Sequence, residues 1–191
     1  MQNSKKGLLL FRHGIPLSDD QRPKTQEEEN MMRQVLYASA VRSLMYAMLC
    51  TRLDICYSVG MVNRYQSNLG SKHWQAIKHI LKYLQRTRDY MFVYQNEDLI
   101  PIGYIDSNFQ LDLDFRKSTS GCVFTLGGGA IIWSSVKQSC IVDSIMEAEY
   151  VAACKEVKEV VWLKKFLSDL GLVRMEQVPI TLFCDNNGAV A

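Results

Sequence analysis

Three acidic residues in the C-terminal half have the types and spacing for metal chemistry. Asp106 lies in GYIDSNF, Glu149 in SIMEAEYVAA and Asp185 in ITLFCDNNGAVA. Divalent cations such as Mg²⁺ take several hard oxygen ligands, which must converge from different parts of a rigid scaffold. Cations held in this way support the hydrolysis of phosphodiesters. The three carboxylates are therefore the candidate metal ligands and catalytic residues.

Two predicted strands and one predicted helix position these acids. Residues 100–106 (IPIGYID) and 179–184 (PITLFC) are short apolar runs rich in β-branched and aromatic residues, which predicts two buried strands. A long helical stretch separates them. A right-handed crossover would pair the strands in parallel and bring Asp106 and Asp185 to neighbouring strand ends, roughly 5 Å apart in the backbone. Ligand sites of open α/β sheets lie at that edge.

The helix carries two glutamates with different expected roles. Ser144-Ile-Met-Glu147 fits a capping box, in which the Ser144 hydroxyl and the Glu147 carboxylate satisfy N–H groups at the helix start. Glu149 lies beyond the reach of a cap and is the better candidate for an inward-facing ligand. A solvated helical glutamate is the alternative when Glu149 is considered alone.

Long motifs around these residues resemble a known family. The runs RKSTSGCVFTLGGGAIIWSS, MEAEYVAACKEVKEVVWLKKFLSDLG and CDNNGAVA resemble the RNase H domain of copia-type retrotransposon Pol polyproteins. Upstream, YASAVRSLMYAMLCTRLDICYSVG and HWQAIKHILKYLQRTRDY resemble the segment that joins the reverse-transcriptase domain to that RNase H domain. The resemblance covers residues 8–191. It implies an α/β fold: an RNase H-like mixed sheet with a crossover helix, truncated at its C-terminus and preceded by a small helical thumb-like segment.

The resemblance also implies a reaction. It gives Asp106, Glu149 and Asp185 the role of ligands for Mg²⁺, with Mn²⁺ as a substitute, in endonucleolytic hydrolysis of the RNA strand of RNA–DNA hybrids. The family's fourth carboxylate is expected downstream of Ala191, so we expect this activity to be weak or lost. The Tyr-x-Asp-Asp polymerase motif is absent from the sequence. A catalytically inactive retroelement relic that binds nucleic acid or a protein is the alternative.

The chain is expected to have three parts. Residues 1–30 form an extended leader, with EEEN opening a possible helix. Residues 31–95 form three helices, at about 32–49, 53–66 and 72–87, and a strand at Tyr90–Gln95. Residues 96–191 form the RNase H-like domain, which includes a hairpin of Gly121–Leu126 and Ala130–Ser135 across a triple glycine.

Charge is distributed unevenly. Residues 1–99 carry 14 Lys and Arg against 9 Asp and Glu, whereas residues 100–191 carry 8 against 11. A phosphate backbone is expected on the basic half, where Lys78, Lys82 and Arg86 share a helix face. A plain solvated face is equally compatible with this pattern. Closer to the acids, four turn residues are candidates for phosphate or sugar contacts: Arg116, Lys117, Ser118 and Thr119. The expected partner is an RNA–DNA hybrid or another duplex.

Composition restricts the setting of the chain. No apolar run reaches the ~18 residues of a membrane span, and the N-terminus does not resemble a signal peptide. We expect an intracellular protein, cytoplasmic or nuclear and not secreted. The six cysteines show no metal-ligand spacing and are expected to be reduced core residues. Helix 144–170 and strand 179–184 are expected to expose apolar surface, and the open edge of that strand to favour self-association.

Overall fold

The computed structural model describes residues 17–94, 99–171 and 179–190. The chain divides into two compact units, Met1–Met91 and Phe92–Ala191, which we call the helical unit and the sheet unit. The first sixteen residues of the expected leader and the expected boundary between residues 95 and 96 lie outside the described part.

The helical unit contains four α-helices in its described part, together with short 3₁₀ turns at Asp19–Gln21 and Leu53–Ile55. The helices are α1 (Gln26–Arg33), α2 (Tyr37–Cys50), α3 (Cys56–Asn63) and α4 (Ser71–Arg86). The possible helix at EEEN is confirmed as α1. The helix predicted at 32–49 begins later, because Leu36 is the N-cap of α2. The helix predicted at 53–66 is shorter at both ends, because the 3₁₀ turn precedes α3 and α3 ends at Asn63.

Local capping explains where two of these helices begin. The Thr25 hydroxyl accepts a hydrogen bond from the N–H of Glu28 at 3.3 Å and caps α1. At the start of α4, the N–H of Gly70 donates to Nδ1 of His73 at 2.8 Å. A side chain at Gly70 would place its Cβ 1.7 Å from the carbonyl oxygen of Gln21, so only glycine fits this close approach.

The core of the helical unit is one cluster to which the 3₁₀ turn at residues 53–55 and helices α2, α3 and α4 all contribute. The Tyr37 hydroxyl crosses this cluster and donates to the carbonyl oxygen of Val62 at 2.8 Å. Because both groups are buried, the bond satisfies polar atoms that would otherwise be costly in an apolar core. The buried members of the cluster are Leu17, Tyr37, Val41, Leu44, Ile55, Val59, Val62, Tyr65, Ile77 and Ile80.

The sheet unit is a mixed α/β fold. Its described elements are β1 (Ile102–Asn108), β2 (Thr119–Leu126), β3 (Gly129–Lys137), α5 (Ile145–Asp169), β4 (Thr181–Cys184) and a short α6 (Asn187–Val190). The sheet has the order β3-β2-β1-β4. The pairs β1–β2 and β2–β3 are antiparallel, and β1–β4 is parallel. The predicted parallel pairing across a crossover helix is therefore confirmed.

Two strand predictions need correction. The first strand was placed at 100–106, but β1 runs two residues further, because pairing with β2 continues to Asn108 opposite Thr119. Asp106 thus lies inside β1 rather than at its end. The strand expected at Tyr90–Gln95 does not form over residues 90–94. Tyr94 contacts β3 through its side chain instead, with its hydroxyl donating to the carbonyl oxygen of Ala130 at 2.9 Å.

The hairpin between β2 and β3 is confirmed, with a tighter turn than expected. Leu126 pairs directly with Gly129, so only Gly127 and Gly128 form the loop. Their φ angles are +55° and +77°. Two successive residues with positive φ match the right-handed twist of a two-residue hairpin and favour glycine at both positions.

Helix α5 covers one face of the sheet. Phe124 and Cys122 on β2 pack with Leu163 and Leu167 on α5 in a second core. The opposite face is open at β1 and β4, where Tyr104 stacks on Phe183 with ring centroids 5.5 Å apart and both rings about half exposed.

Apolar side chains are also exposed on the outer side of α5, where Trp162 is 53% exposed and stacks on Phe166. Val161 is exposed beside them on the same helix. The expected apolar exposure on helix 144–170 and strand 179–184 is therefore confirmed for the described residues.

The cysteines confirm only part of their prediction. All six are free thiols, as expected. Cys122 is buried, but Cys50, Cys140 and Cys154 are exposed, so these three are not core residues. Among the described residues, no helix combines the length and apolar character needed to cross a bilayer.

Candidate metal centre

The parallel ladder between β1 and β4 brings two of the predicted acids to one place. Its last registered pair is Ile105 with Cys184. Asp106 directly follows Ile105 and Asp185 directly follows Cys184, so the backbones of the two acids lie next to each other at the end of this ladder. Asp106 continues within β1 and is exposed, whereas Asp185 lies in the bend after β4 and is also exposed.

Helix α5 delivers the third acid from the covered face. Glu149 lies in the second turn and is only 2% exposed, which rules out the solvated alternative. Its Oε1 accepts a hydrogen bond from the N–H of Ser107 at 2.9 Å, and its Oε2 accepts one from the Cys184 thiol at 3.7 Å. One carboxylate therefore contacts both strands that carry the other two acids.

A buried amide holds this part of α5 against the sheet. The Gln138 side-chain nitrogen donates to the carbonyl oxygen of Ala148 at 2.8 Å and to the hydroxyl of Ser120 at 2.9 Å. Ala148 directly precedes Glu149, so these bonds restrict the position of the glutamate. Such supporting contacts orient the groups that bind a metal. No sequence signal indicated Gln138, because its partners are distant along the chain.

Cys184 is the site residue that the sequence analysis missed. Ligand atoms of Glu149, Cys184 and Asp185 all lie within 4.8 Å of one another. A signal was present, since Cys184 directly precedes Asp185 at the end of a predicted strand. Absence of metal-ligand spacing in sequence does not exclude a ligand, because these three residues come from two elements.

The site concentrates negative charge around Glu149. Burial raises the pKa of the Glu149 carboxyl, and the carboxylates of Asp106 and Asp185 raise it further, against the opposing hydrogen bonds from Ser107 and Cys184. Asp106 thus contributes to the electrostatics of the group although it is exposed. A divalent cation would relieve this repulsion, because it replaces the proton with a larger positive charge.

The donor set fits a divalent cation. The carboxylates of Glu149 and Asp185 supply the hard oxygens that Mg²⁺ and Mn²⁺ prefer, from helix α5 and from the bend after β4. Asp106 is not a member of the close group, and the structure brings it to the site only as the neighbour of Asp185 across the β1–β4 ladder and as a charge that acts on Glu149. The thiol of Cys184 is a softer donor and is the one member that Mg²⁺ does not favour.

Glu147 has the structural role that the sequence predicted, with one change of partner. The Ser144 hydroxyl accepts from the N–H of Glu147 at 3.1 Å, as a capping box requires. The Glu147 carboxylate, however, accepts from the N–H of Asp143 at 2.8 Å rather than from that of Ser144. Glu147 is thereby used at the helix start and is exposed.

The turn before the hairpin is built around a buried acid. Asp112 forms an ion pair with Lys137 at 2.5 Å, and its Oδ1 accepts from the N–H of Asp114 at 3.1 Å. In this turn Arg116 is exposed, with a φ of +51°. Lys117 donates to the carbonyl oxygen of Ser139 at 2.6 Å.

Ser118 and the three cations of α4 complete the predicted set. Ser118 is fully buried, and its hydroxyl accepts from the N–H of Gln110 at 3.1 Å. Lys78 and Arg86 are exposed on α4, and Lys82 is partly exposed. These three belong to the helical unit, whereas the acids belong to the sheet unit.

Comparison with known proteins identifies relatives of two kinds. The chain is 44% identical over 190 residues to the retrovirus-related Pol polyprotein from transposon TNT 1-94 of Nicotiana tabacum, covering all of this chain and 14% of the relative. It is 35% identical over 154 residues to the Pol polyprotein from transposon RE2 of Arabidopsis thaliana, covering 80% of this chain and 10% of the relative. The chain thus spans a small fraction of these polyproteins.

A shorter relative is covered almost completely. The secreted RxLR effector protein 161 of Plasmopara viticola is 39% identical over 133 residues, which are 69% of this chain and 94% of the relative. No family model matches the chain, and no solved structure matches it. The chain therefore belongs to a family that includes copia-type retrotransposon Pol polyproteins and this Plasmopara protein, and its origin is a retrotransposon Pol sequence.

Proposed function

We propose that the sheet unit is an RNase H-like domain that hydrolyses the RNA strand of RNA–DNA hybrids with Mg²⁺ or Mn²⁺. The observation that carries this proposal is the convergence of Glu149 with Asp106 and Asp185 at the end of the β1–β4 ladder. The retrotransposon Pol origin of the chain supports it, because reverse transcription produces such hybrids. The mixed sheet with its crossover helix also supports it.

Each acid has a distinct task in this proposal. A bound divalent cation supplies an activated water and stabilises the leaving oxygen. Glu149, fixed by the Ser107 N–H, provides a ligand whose position does not depend on solvent. Asp106 and Asp185 are exposed and can adjust to the cation and to a phosphate. This division combines one rigid ligand with two accessible ones.

Binding of the hybrid is assigned to cations that are exposed or partly exposed. In the helical unit, Lys78, Lys82 and Arg86 on α4 would contact the phosphate backbone. In the sheet unit, Arg116 and Lys117 are separate candidates for such contacts. We leave Ser118 out because its side chain is buried and already hydrogen-bonded.

A cleavage assay with an end-labelled RNA–DNA hybrid tests the proposal. We expect weak cleavage that is faster in Mn²⁺ than in Mg²⁺. Asp106→Asn and Glu149→Gln should each reduce it at least about 100-fold, because they remove ligands themselves rather than supporting contacts. Glu147→Gln is the matched control and should retain the activity. Equal losses in Glu147→Gln and Glu149→Gln, or cleavage that survives Asp106→Asn, would contradict the assignment.

The raised pKa of Glu149 gives the site a pH dependence. A proton and a cation compete for this carboxylate, so Mn²⁺ affinity should increase as the pH rises through the pKa of Glu149. Without metal the sign for stability is opposite: the folded protein holds this proton more tightly than the unfolded chain, so stability falls over the same range. Calorimetric titration with Mn²⁺ at several pH values measures the first effect, and thermal unfolding of the metal-free protein over the same pH range measures the second, each on the wild type and on Glu149→Gln. Unchanged pH dependence in the variant would exclude Glu149 as the competing group.

A second function is favoured by the exposed apolar side chains of α5. Val161, Trp162 and Phe166 are exposed on its outer side. A catalytically inactive retroelement relic would use such a surface to bind a protein, or the basic residues to bind nucleic acid. Absence of cleavage in both metals, with retained hybrid binding, would favour this alternative.

A further inference from the structure

Cys184 differs from the other cysteines in its surroundings. Its thiol points at Oε2 of Glu149 across 3.7 Å, and it forms a three-member group with Glu149 and Asp185. In the part of the chain that the structure describes, this is the one group of three or more such side chains whose donor atoms are close enough to share an ion.

The separation of the two donors, which now form a hydrogen bond, is also the separation expected of two ligands of one cation. A tetrahedral zinc ion with bonds of about 2.3 Å to sulfur and about 2.1 Å to oxygen places these two ligands about 3.6 Å apart. The observed distance between Sγ of Cys184 and Oε2 of Glu149 is 3.7 Å. A cation can therefore occupy the position between these atoms with little movement of either side chain.

The carboxylate is already oriented for this arrangement. The N–H of Ser107 binds Oε1 of Glu149, which leaves Oε2 directed at the thiol. Asp185 supplies a third donor from the neighbouring bend. Two oxygens and one sulfur leave a fourth tetrahedral position for water or Asp106, as in sites with three protein ligands.

We propose, resting on the proposed function in that the same site is involved, that Cys184 makes this centre a binding site for thiophilic divalent cations such as Zn²⁺. Glu149 and Asp185 are the oxygen ligands. On binding, the thiol transfers its proton to solvent and a metal–thiolate bond forms. Because the carboxylates are shared, Zn²⁺ excludes Mg²⁺ and Mn²⁺ and inhibits any hydrolysis that depends on them.

Cadmium provides a direct probe, because a cadmium–thiolate bond has a charge-transfer absorption in the ultraviolet. The protein is titrated with Cd²⁺ alone, without nucleic acid, and Zn²⁺ is then used to displace it. We expect a band that saturates at one equivalent in the wild type and is absent in Cys184→Ser. The same variant should bind Zn²⁺ at least about 10-fold more weakly.

Two other cysteines are matched controls. Cys140→Ser and Cys154→Ser remove exposed thiols that lie outside the group, so both should retain the band. Cys122 does not compete, because burial, reinforced by Glu156, raises the pKa of its thiol to about 12. Circular dichroism establishes that each variant is folded. A band that persists in Cys184→Ser, or that is lost equally in Cys140→Ser, would overturn the proposal.

The two proposals fail in different ways. Absence of hybrid cleavage with a Cys184-dependent cadmium band would remove the ribonuclease function and leave the thiophilic site. Cleavage without a Cys184-dependent cadmium band would remove the thiophilic site and leave the ribonuclease function. When both are present, excess Zn²⁺ should suppress Mn²⁺-dependent cleavage in the wild type, and Cys184→Ser should be suppressed less.

Discussion

In the helical unit, α2, α3 and α4 close around one cluster of buried side chains. In the sheet unit, α5 covers one face of the sheet, while Tyr104 and Phe183 stay exposed on the other. Most of the large apolar side chains that are exposed in the described residues belong to the sheet unit. The same unit holds the buried Glu149 and the acids that raise its pKa.

This difference has an energetic meaning. Folding is driven mainly by apolar surface removed from water, at about 25 cal/mol per Å². In the helical unit, apolar surface is buried among the side chains of three helices. In the sheet unit, it is buried mainly where α5 packs on one face of the sheet. The acids of the sheet unit add a cost that only a cation or protons can offset. We therefore expect a bound cation to stabilise the sheet unit more than the helical unit.

The strongest test of this comparison contrasts the two faces of the sheet. Phe124 is 0% exposed beneath α5, whereas Tyr104 is 48% exposed on the open face. Phe124→Ala should lower the free energy of unfolding by about 3–5 kcal/mol, because it removes a buried ring and leaves a cavity. Tyr104→Ala should cost less than about 1 kcal/mol. Chemical denaturation followed by circular dichroism measures both.

Segment-resolved hydrogen exchange locates the effect of Phe124→Ala. Amides of β2 should lose protection, while those of α4 serve as the internal reference. Comparable destabilisation by Phe124→Ala and Tyr104→Ala would mean that the open face is covered in solution, for instance by a second copy of the chain.

The helix and strands that position the site could be predicted from the sequence, because they are marked by residues that lie close together along the chain. Ser144 marks the start of α5, the glycines mark the hairpin turn, and apolar runs mark β1 and β4. The parallel order followed from the handedness of crossovers. What could not be predicted depends on residues that are distant in sequence. The Gln138 amide, the Ser107–Glu149 bond and the proximity of Cys184 arise only once the sheet and α5 are packed.

Exposure was the other limit of sequence analysis. Trp162 lies in an apolar helical pattern, which predicts a core residue, yet it is exposed. Periodicity shows that a helix has an apolar face, but it does not show whether another element covers that face. The same limit applies to Cys154, which lies on α5 within an apolar run and is exposed.

Helix α5 holds a second buried acid, Glu156, whose replacement should stabilise the protein, by less than Phe124→Ala destabilises it. Glu156 is fully buried, and among the described residues neither of its carboxylate oxygens has a partner in good hydrogen-bond geometry, although the Cys122 thiol is close enough for the carboxylate to raise its pKa. Its Oε1 lies 3.5 Å from the half-exposed Lys155 ammonium, which compensates only part of the desolvation cost. Glu156→Met should raise the free energy of unfolding by about 1–3 kcal/mol, because it replaces a buried polar group with an apolar one of similar length.

Thermal unfolding at neutral pH measures this change, and Glu159→Met on the same helix is the control for a glutamate outside the core. A loss of stability in Glu156→Met, with Cys184-dependent metal binding unchanged, would contradict this prediction. It would show that the buried carboxylate makes a stabilising polar contact and that its burial does not destabilise the sheet unit.

The smallest expected effect on stability belongs to a variant of the helical unit, which tests whether the basic residues of α4 bind nucleic acid. Lys78 is exposed and Lys82 partly exposed on α4, so Lys78→Ala with Lys82→Ala should change the free energy of unfolding by less than about 0.5 kcal/mol. Binding to a hybrid should weaken at low salt, and the slope of log affinity against log salt should decrease by about one unit for each phosphate that the variant no longer binds. Fluorescence anisotropy over a salt series measures the slope, and Arg22→Ala with Lys24→Ala, on the exposed segment before α1, is the charge-matched control. An unchanged slope in the double variant would mean that this face of α4 is only a solvated surface and does not bind nucleic acid.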